Sequence, residues 1–330
     1  MNHEYTAIVG GSGFVGSFLL KESNLDYTIN FDKNQSPFYP QITTIGNVLN
    51  KQKLKEAFKN ISCVILLAAE HKDNVNPKSL YYDVNVEGTK NVLEIMDYYN
   101  IKKIIFTSSV AVYGLNKKNP NESDKLDPFN HYGKSKSMAE NLVRRWYNEK
   151  PKNKTAIIIR PTVIFGERNR GNVFNLFAQI NSKKFVMIGT GNNKKSMAYV
   201  KNVVSFINFL RYRKKNGLFI YNYSDKPDLT MNDLVKIVEK KMRFNLIKIR
   251  IPYALGIIGA YIFQLLKFLK ISKNEISAVR VKKFTATTQF DSSKMLCEFT
   301  PKYSLIQGIN RTLDKEFINK ESDEILFYSE

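Results

Sequence analysis

Short runs of β-branched and aromatic residues alternate with stretches of helical period along the first half of the chain. Such runs predict strands, and apolar positions spaced three or four apart predict helices. The predicted strands are residues 5–9, 27–31, 63–68, 103–107 and 156–159, and the predicted helices are residues 14–23, 51–58 and 83–98. This alternation is typical of an α/β protein, so we predict a parallel, doubly wound sheet of the Rossmann type.

The second half of the chain is less regular. Turn signals stand at Gly166, Gly171 and Pro227, while residues 200–212 have the pattern of a helix that returns to the sheet. We therefore predict two interleaved units. Residues 1–165, with about 199–220, form the Rossmann domain, and residues 166–198 and 221–330 form a smaller α/β lobe that binds substrate. A cleft between two such units is a common place for an active site.

Charge is the unusual feature of the composition. The 330 residues include 51 Lys and Arg against 30 Asp and Glu, which gives a formal net charge of +21. This excess favours an anionic partner, either a phosphorylated substrate, an acidic membrane surface or nucleic acid, although a solvated basic face is also consistent with it. The positive charge is concentrated in residues 240–283, where Glu275 is the only acid. This region has no nucleic-acid recognition motif, so we expect no nucleic-acid partner.

Cysteine, histidine and the N-terminus narrow the chemistry further. Cys63 and Cys297 are too few for a disulfide framework, and the N-terminal residues lack a signal-peptide pattern, so we expect reduced thiols and a cytoplasmic protein. The histidines, His3, His71 and His131, lack metal-ligand spacing. We expect no metal, so the chemistry requires an organic cofactor.

A glycine loop indicates which cofactor it is. The sequence Gly10-Gly-Ser-Gly-Phe-Val-Gly16 follows a strand and opens a helix, which is the context of a dinucleotide-binding loop, although such loops also serve as tight turns. Asp32 ends the next strand, where its carboxylate can bind the adenosine ribose and repel a 2′-phosphate, which favours NAD over NADP. The predicted NAD contacts are Gly10, Ser12, Gly13, Phe14, Val15, Gly16, Asp32, Lys33, Asn47, Val48, Leu67, Ala68, Ala69, Ser108, Tyr132, Lys136 and Pro161.

Tyr132 and Lys136 are the predicted catalytic pair. Lys136 stands four positions after Tyr132, so on a helix they share a face, and the ammonium is expected to lower the pKa of the phenol. The same spacing also occurs at Tyr98/Lys102 and Tyr99/Lys103. Those pairs lie at a helix end before an apolar run, whereas Tyr132 opens a new helix after a strand end that carries Ser109. Ser109, Tyr132 and Lys136 together can move a proton and a hydride.

These motifs together resemble the extended short-chain dehydrogenase/reductase family of sugar epimerases and dehydratases. The residues that carry the resemblance are the glycine loop, Asp32, Ala68-Ala69, Asn85, Ser109, Tyr132 with Lys136, and Arg160-Pro161, and it runs along essentially the whole chain. Longer strings, such as residues 159–172 and 195–200, are similar to family members that act on an amino sugar linked to a polyprenyl diphosphate, in O-antigen and other surface-polysaccharide synthesis.

The resemblance implies a 4-epimerase with tightly held NAD. Tyr132 would take the proton of the sugar 4-hydroxyl, Ser109 would bind the same oxygen, and Lys136 would hold the nicotinamide ribose. The 4-keto sugar would then present its other face and take the hydride back. The resemblance also implies a homodimer. Candidate substrate contacts are Arg170, Asn172, Lys195, Arg280 and Lys283, and for Arg280 and Lys283 a solvated basic surface is the alternative.

An apolar segment, residues 251–266, has no charge and is flanked by basic residues. It is shorter than the roughly 20 residues that a membrane span needs. It is therefore either a core helix of the smaller lobe or an interfacial helix. A polyprenyl-linked substrate brings the second interpretation level with the first, so both stay open, and it favours a place at the inner face of the cell membrane.

Two further functions are compatible with the motifs. One is a soluble UDP-N-acetylhexosamine 4-epimerase or a nucleotide-sugar 4-keto reductase. The other, of a different class, is a non-catalytic NAD-sensing or scaffold protein, although such a protein has no need of Ser109, Tyr132 and Lys136 together.

Overall fold

The computed structural model describes residues 5–72, 75–115, 117–247, 249–268, 278–321 and 324–328. At residues 263–268, 278–280 and 283 it describes the backbone alone. The predicted substrate contacts at Arg280 and Lys283 therefore lie outside the described side chains.

The strands and helices follow the order that the hydrophobic pattern predicts in the first half of the chain. The strands are β1 (Thr6–Val9), β2 (Thr28–Asp32), β3 (Thr43–Ile45), β4 (Cys63–Leu66), β5 (Lys103–Thr107), β6 (Thr155–Pro161), β7 (Val163–Phe165), β8 (Met187–Ile188), β9 (Lys194–Tyr199), β10 (Gly217–Tyr223), β11 (Asp225–Thr230) and β12 (Arg250–Ile251). The helices are α1 (Phe14–Lys21), α2 (Lys51–Ala57), α3 (Ser79–Tyr82), α4 (Gly88–Tyr98), α5 (His131–Glu149), α6 (Asn172–Asn181), α7 (Val200–Arg211), α8 (Met231–Met242), α9 (Tyr253–Phe268), α10 (Ala278–Thr285), α11 (Ser293–Glu298) and α12 (Leu305–Leu313).

A seven-stranded parallel sheet forms the centre of the molecule, in the order β10-β6-β5-β4-β1-β2-β3. Successive strand residues point to opposite faces, so the buried β-branched runs supply two cores. On one face, residues such as Ile8 and Ile65 pack against α1 and α7. On the other face, residues such as Val9 and Val64 pack against α2, α4 and α5. The predicted doubly wound Rossmann fold is confirmed.

Five of the described strands, β7, β8, β9, β11 and β12, lie outside the central sheet. The strands β11, β9 and β7 form one sheet, and β12 pairs with β8 in another. Apolar residues of α6, α8 and α12 belong to the same hydrophobic core as α1 and α7. Strand β10 belongs to the central sheet and runs to Tyr223. The division into an NAD-binding domain and a substrate-binding lobe stays a prediction.

No described helix is both long and apolar enough to cross a bilayer.

Candidate active site

The glycine loop lies between β1 and α1. Gly10 has φ +93°, and a Cβ built there would stand 2.5 Å from the backbone nitrogen of Ala68. A Cβ on Gly16 would come within 2.4 Å of the Gly11 Cα. Gly13 differs, because its Cβ would meet only the Gly10 carbonyl oxygen at 3.6 Å. The loop is thus pressed against β4 while Gly13 leaves open space at the start of α1, where the helix dipole favours a phosphate.

Asp32 holds this loop from the end of β2. Its Oδ2 accepts a hydrogen bond of 3.0 Å from the Ser12 backbone N–H, and its Oδ1 accepts one of 2.9 Å from Asn34. Ser12 Oγ donates to the Asn34 carbonyl at 2.8 Å. Burial raises the pKa of Asp32, and these backbone donors oppose the effect. The carboxylate therefore lies beside the glycine loop, as binding of an adenosine ribose requires.

Most of the other predicted NAD contacts lie at the same carboxyl edge of the sheet. Residues 67–69 directly follow β4, Ser108 follows β5, and Pro161 ends β6. The Ser108 side chain is buried, and its hydroxyl has no hydrogen-bond partner among the described residues. An unsatisfied hydroxyl at this edge fits a polar ligand, because buried polar groups are normally paired. The open space at Gly13 and the Ser108 hydroxyl both fit a dinucleotide.

Two predicted contacts after β3 have local partners. The Asn47 Oδ1 accepts a hydrogen bond of 3.0 Å from the Leu49 backbone N–H. Val48 is buried against α4, where a Cβ on Gly88 would stand 2.6 Å from its Cγ2. Asn47 thus shapes the turn before α2, and its predicted contact with the adenine stays a prediction.

The structure brings Ser109, Tyr132 and Lys136 together. Tyr132 lies in the first turn of α5, whose N-cap Asn130 accepts a hydrogen bond of 2.8 Å from Gly133. The Ser109 hydroxyl hydrogen-bonds the Tyr132 phenol. One turn further on, Lys136 Nζ donates to the Thr107 carbonyl at the end of β5, at 2.6 Å. A phenol, a hydroxyl and an ammonium thus converge at the carboxyl edge of β5.

The electrostatics of this group differ from the expectation. Burial raises the pKa of the Tyr132 phenol, and the hydrogen bond from Ser109 only partly opposes this. Burial also lowers the pKa of Lys136 to about 7, with the charge of Glu140 acting in the opposite direction. The net direction at Tyr132 is therefore opposite to the lowering expected from helical spacing. The reason is that desolvation of the phenol itself is the largest effect on its pKa, and the charge of Lys136 is not among the effects that act on it.

Asn85 fixes the position of this first turn. Its Nδ2 donates to Ser135 Oγ at 2.9 Å and to the Glu70 carbonyl at 2.9 Å, while its Oδ1 accepts from the Glu70 N–H at 2.8 Å. Ser135 Oγ donates in turn to the Tyr132 carbonyl at 2.8 Å. Asn85 thus joins the loop after β4 to α5. The sequence supplied Asn85 as part of the family pattern but gave it no role.

A buried ion pair anchors the same helix deeper in the core. Arg160 Nε and Nη2 donate to the two oxygens of Glu140 at 2.8 and 2.6 Å, and both side chains are 0% exposed. Arg160 Nη1 also donates to the Tyr113 hydroxyl at 2.7 Å. The pair connects α5 to β6. Sequence reasoning missed it, because the two partners stand 20 residues apart and meet only in the folded core.

The C-terminal segment also reaches the cofactor loop, which sequence reasoning missed. The Phe327 ring lies 6.0 Å from Phe14 and 6.4 Å from Phe38, measured between ring centroids. Its backbone N–H donates to the Arg168 carbonyl at 2.9 Å, and its carbonyl accepts from the Arg170 N–H at 2.7 Å. Phe14 opens α1, so Phe327 packs on the loop predicted to hold the pyrophosphate.

The predicted substrate contacts have different surroundings. Lys195 Nζ donates to the Ala286 carbonyl at 2.7 Å, and burial lowers the pKa of this lysine to about 8. Arg170 Nη1 pairs with Glu316 Oε2 at 2.6 Å, which favours a packing role for that arginine. Asn172 is exposed at the first residue of α6. Contact of these residues with substrate stays a prediction. No group of His, Cys, Asp and Glu suitable for a metal ion occurs in the described part of the chain.

The fold and these groups define an enzyme that binds a dinucleotide and moves a hydride together with a proton. The chain belongs to the NAD dependent epimerase/dehydratase family, whose model matches residues 6–222. NAD is therefore its cofactor.

Relatives extend the similarity to the whole chain. The chain is 54% identical over 328 residues to the N-acetyl-α-D-glucosaminyl-diphospho-ditrans,octacis-undecaprenol 4-epimerase of Escherichia coli O157:H7, with 98% of each chain covered. It is 30% identical to a putative UDP-glucose 4-epimerase of Methanocaldococcus jannaschii, over 72% of this chain and 82% of the relative. The solved UDP-glucose 4-epimerase of Thermotoga maritima matches with a TM-score of 0.73 at 19% identity, covering 94% of this chain and 97% of that one. At this identity the solved structure shows the fold alone.

Proposed function

We propose that this protein is a 4-epimerase that interconverts N-acetylglucosaminyl- and N-acetylgalactosaminyl-diphospho-undecaprenol through a 4-keto sugar, for the synthesis of O-antigen or another surface polysaccharide. The observation that carries the proposal is the 54% identity to the E. coli enzyme along 98% of both chains. The convergence of Ser109, Tyr132 and Lys136 supplies chemistry that suits this reaction.

When bound between the glycine loop and Lys136, NAD would supply the acceptor and donor of the hydride that leaves C4 of the sugar and returns to the opposite face of the same carbon. Tyr132, as the phenolate, takes the proton of the 4-hydroxyl and later gives it back, so the cycle is neutral in protons and in redox state. Ser109, which already hydrogen-bonds the phenol, holds the sugar oxygen near it. Lys136 would hold the cofactor ribose, and its positive charge would stabilise the phenolate. Asn85 and Glu140 keep the helix that carries these groups in place.

The place of action follows from the substrate. An undecaprenyl chain stays in the bilayer, so the enzyme works in the cytoplasm at the inner face of the cell membrane, and we propose a homodimer there. Lys195 is proposed to meet the sugar diphosphate, as a point charge without the fork that arginine provides.

Product analysis tests the function. Purified protein receives N-acetylglucosaminyl-diphospho-undecaprenol in detergent without added NADH, and the released sugar is separated by chromatography. We expect the galacto epimer, with no deuterium from heavy water at C4, because the hydride stays on the cofactor. Turnover of UDP-sugars alone would refute the lipid-linked assignment. A stoichiometric requirement for NADH would indicate a reductase.

Matched tyrosine variants connect the activity to the site. Tyr132→Phe removes the phenol at the convergence point. Tyr98→Phe removes the phenol of another Tyr four residues before a Lys, at a position that is 62% exposed. We expect the first variant to lose turnover and the second to keep it. Equal activity of the two would remove Tyr132 from the mechanism.

A further inference from the structure

The outer face of α9 is apolar over residues 253–262, although it faces solvent. The sequence from Tyr253 to Ile262 contains no charged residue. Leu255, Ile258 and Ile262, which follow helical spacing, are 58%, 54% and 52% exposed. A helix on the surface of a protein in water normally has polar residues on its outer face. This stripe is therefore suited to an apolar surrounding.

The inner face of the same helix is already packed. Ala260 is 1% exposed, and it belongs to a small core with Val281. A Cβ on Gly256 would stand 2.6 Å from Ile188 Cγ2, so α9 lies directly on β8. The exposed stripe thus belongs to a helix whose orientation is fixed by its other side.

A second exposed apolar group lies beside β12, which pairs with β8. Ile247 and Ile249 are 82% and 53% exposed. They line a hollow of about 320 Å³ together with Arg250 and Lys236. Both exposed apolar groups therefore adjoin β8. We call them together the docking face, defined by Ile247, Ile249, Leu255, Ile258, Tyr261 and Ile262.

Basic residues border the docking face. Lys236 lines both the hollow beside Ile247 and a neighbouring one that Lys240 and Arg243 also line. Arg250 is exposed, and its guanidinium donates to the Thr190 carbonyl at 2.8 Å. Exposed apolar side chains next to these two hollows, which together have four basic residues and one acid, Glu239, match the boundary between acyl chains and anionic head groups. A second copy of the chain is a poorer match, since it would bring the same cations together in a protein of net charge +21.

The docking face is connected to the predicted substrate site. Phe185 lines the hollow and packs against Phe284, with ring centroids 6.1 Å apart. Ala286 follows two residues later, and its carbonyl accepts the hydrogen bond from Lys195. Packed residues therefore lead from the docking face to the lysine that is proposed to meet the sugar diphosphate.

We propose that the docking face inserts its apolar side chains into the surface of an anionic bilayer and so holds the enzyme at its substrate. This inference rests on the proposed function, because a lipid-linked sugar gives the contact its purpose. The basic border binds the head groups, while Leu255, Ile258 and Ile262 enter the acyl boundary.

Vesicle flotation tests the proposal with full-length protein. The probe is vesicles with about one third phosphatidylglycerol in phosphatidylcholine. The variant is L255Q/I258Q/I262Q, and the control is I306Q/I318Q, which changes two side chains that are 44% and 49% exposed on another helical segment. We expect wild type and control to float, and the triple variant to lose at least about tenfold in binding. Binding should weaken on vesicles of pure phosphatidylcholine and at high salt.

Two outcomes would overturn the docking face: wild-type protein that does not float, or a triple variant that floats equally well. A triple variant that becomes monomeric while still floating would make the face a contact between copies. Turnover of the lipid-linked sugar in detergent is measured in parallel. Wild type and triple variant should be equally active there, since the sugar site is unchanged. Loss of wild-type turnover would refute the proposed function without affecting the flotation result.

Discussion

The buried charge of Lys136 should destabilise the folded protein. Its side chain is 2% exposed, its ammonium donates to the Thr107 carbonyl, and burial lowers its pKa from the ordinary 10.5 to about 7. One pKa unit corresponds to about 1.36 kcal/mol. The charged lysine therefore costs the folded state about 5 kcal/mol at pH 7 and below. Replacing it by Met removes this cost and also the hydrogen bond, worth about 1.5–3 kcal/mol.

We therefore expect Lys136→Met to raise the free energy of unfolding of NAD-free protein by about 2–4 kcal/mol at pH 7 while turnover is lost. The difference in free energy of unfolding between Lys136→Met and wild type should decrease as pH rises. Because the folded pKa lies below the unfolded one, the unfolded chain binds the extra proton between about pH 7 and about pH 10.5. As pH rises through this range, Lys136 loses its proton in the folded protein and the wild-type free energy of unfolding increases. The difference between Lys136→Met and wild type therefore narrows by about 1.4 kcal/mol per pH unit.

Urea unfolding at about pH 7 and about pH 10 measures the gap. Trp146, the only tryptophan, is buried on the same helix and reports its unfolding by fluorescence. NAD must be removed, since a ligand that binds only the folded state adds its own stability. Lys134→Met, an exposed position two residues away, is the matched control and should change stability by less than about 0.5 kcal/mol. A Lys136→Met protein that is less stable than wild type at pH 7, or a gap that does not change with pH, would refute the reasoning.

Three further outcomes are expected. Tyr132→Phe should lower kcat at least about 100-fold while NAD content, read from the absorbance of denatured protein, is unchanged; a loss below tenfold contradicts its role as the base. Glu140→Ala leaves the buried Arg160 guanidinium without its carboxylate partner and should lower the free energy of unfolding by about 3–5 kcal/mol. The double variant E140L/R160M should regain most of this lost stability. Phe327→Ala removes a ring from the cofactor loop and should raise the Kd for NAD about three- to tenfold by calorimetry, whereas Tyr328→Ala should not.

Local sequence pattern predicts the elements that depend on few residues. The strands β1, β4 and β5 are buried apolar runs with clear helices after them. The tight turn of the glycine loop needs residues without a Cβ, so its glycines mark it in the sequence. The strands β3 and β10 were not predicted. Thr43–Ile45 is too short to show a period, and Gly217–Tyr223 joins the sheet through pairing with β6, more than 60 residues earlier in the chain. Pairing at such a distance leaves no local signal.

The candidate site divides in the same way. Ser109, Tyr132 and Lys136 could be selected from spacing and order, because a helix turn and a strand end place them. The pKa directions could not, since they depend on burial that only the packed helix creates. Phe327 and Arg160 meet their partners through tertiary contacts, so the local sequence pattern does not predict these roles.

The contacts around α5 explain how a destabilising lysine can be retained. Lys136 lies between two attachments of the same helix, the Asn85–Ser135 hydrogen bond in the first turn and the Glu140–Arg160 pair one turn beyond. Both attachments hold the helix that carries the buried ammonium against the sheet. Glu140 also favours the charged form of Lys136 through its own negative charge. The ion pair therefore acts twice, holding the helix against the sheet and opposing the loss of the proton on which the proposed chemistry depends.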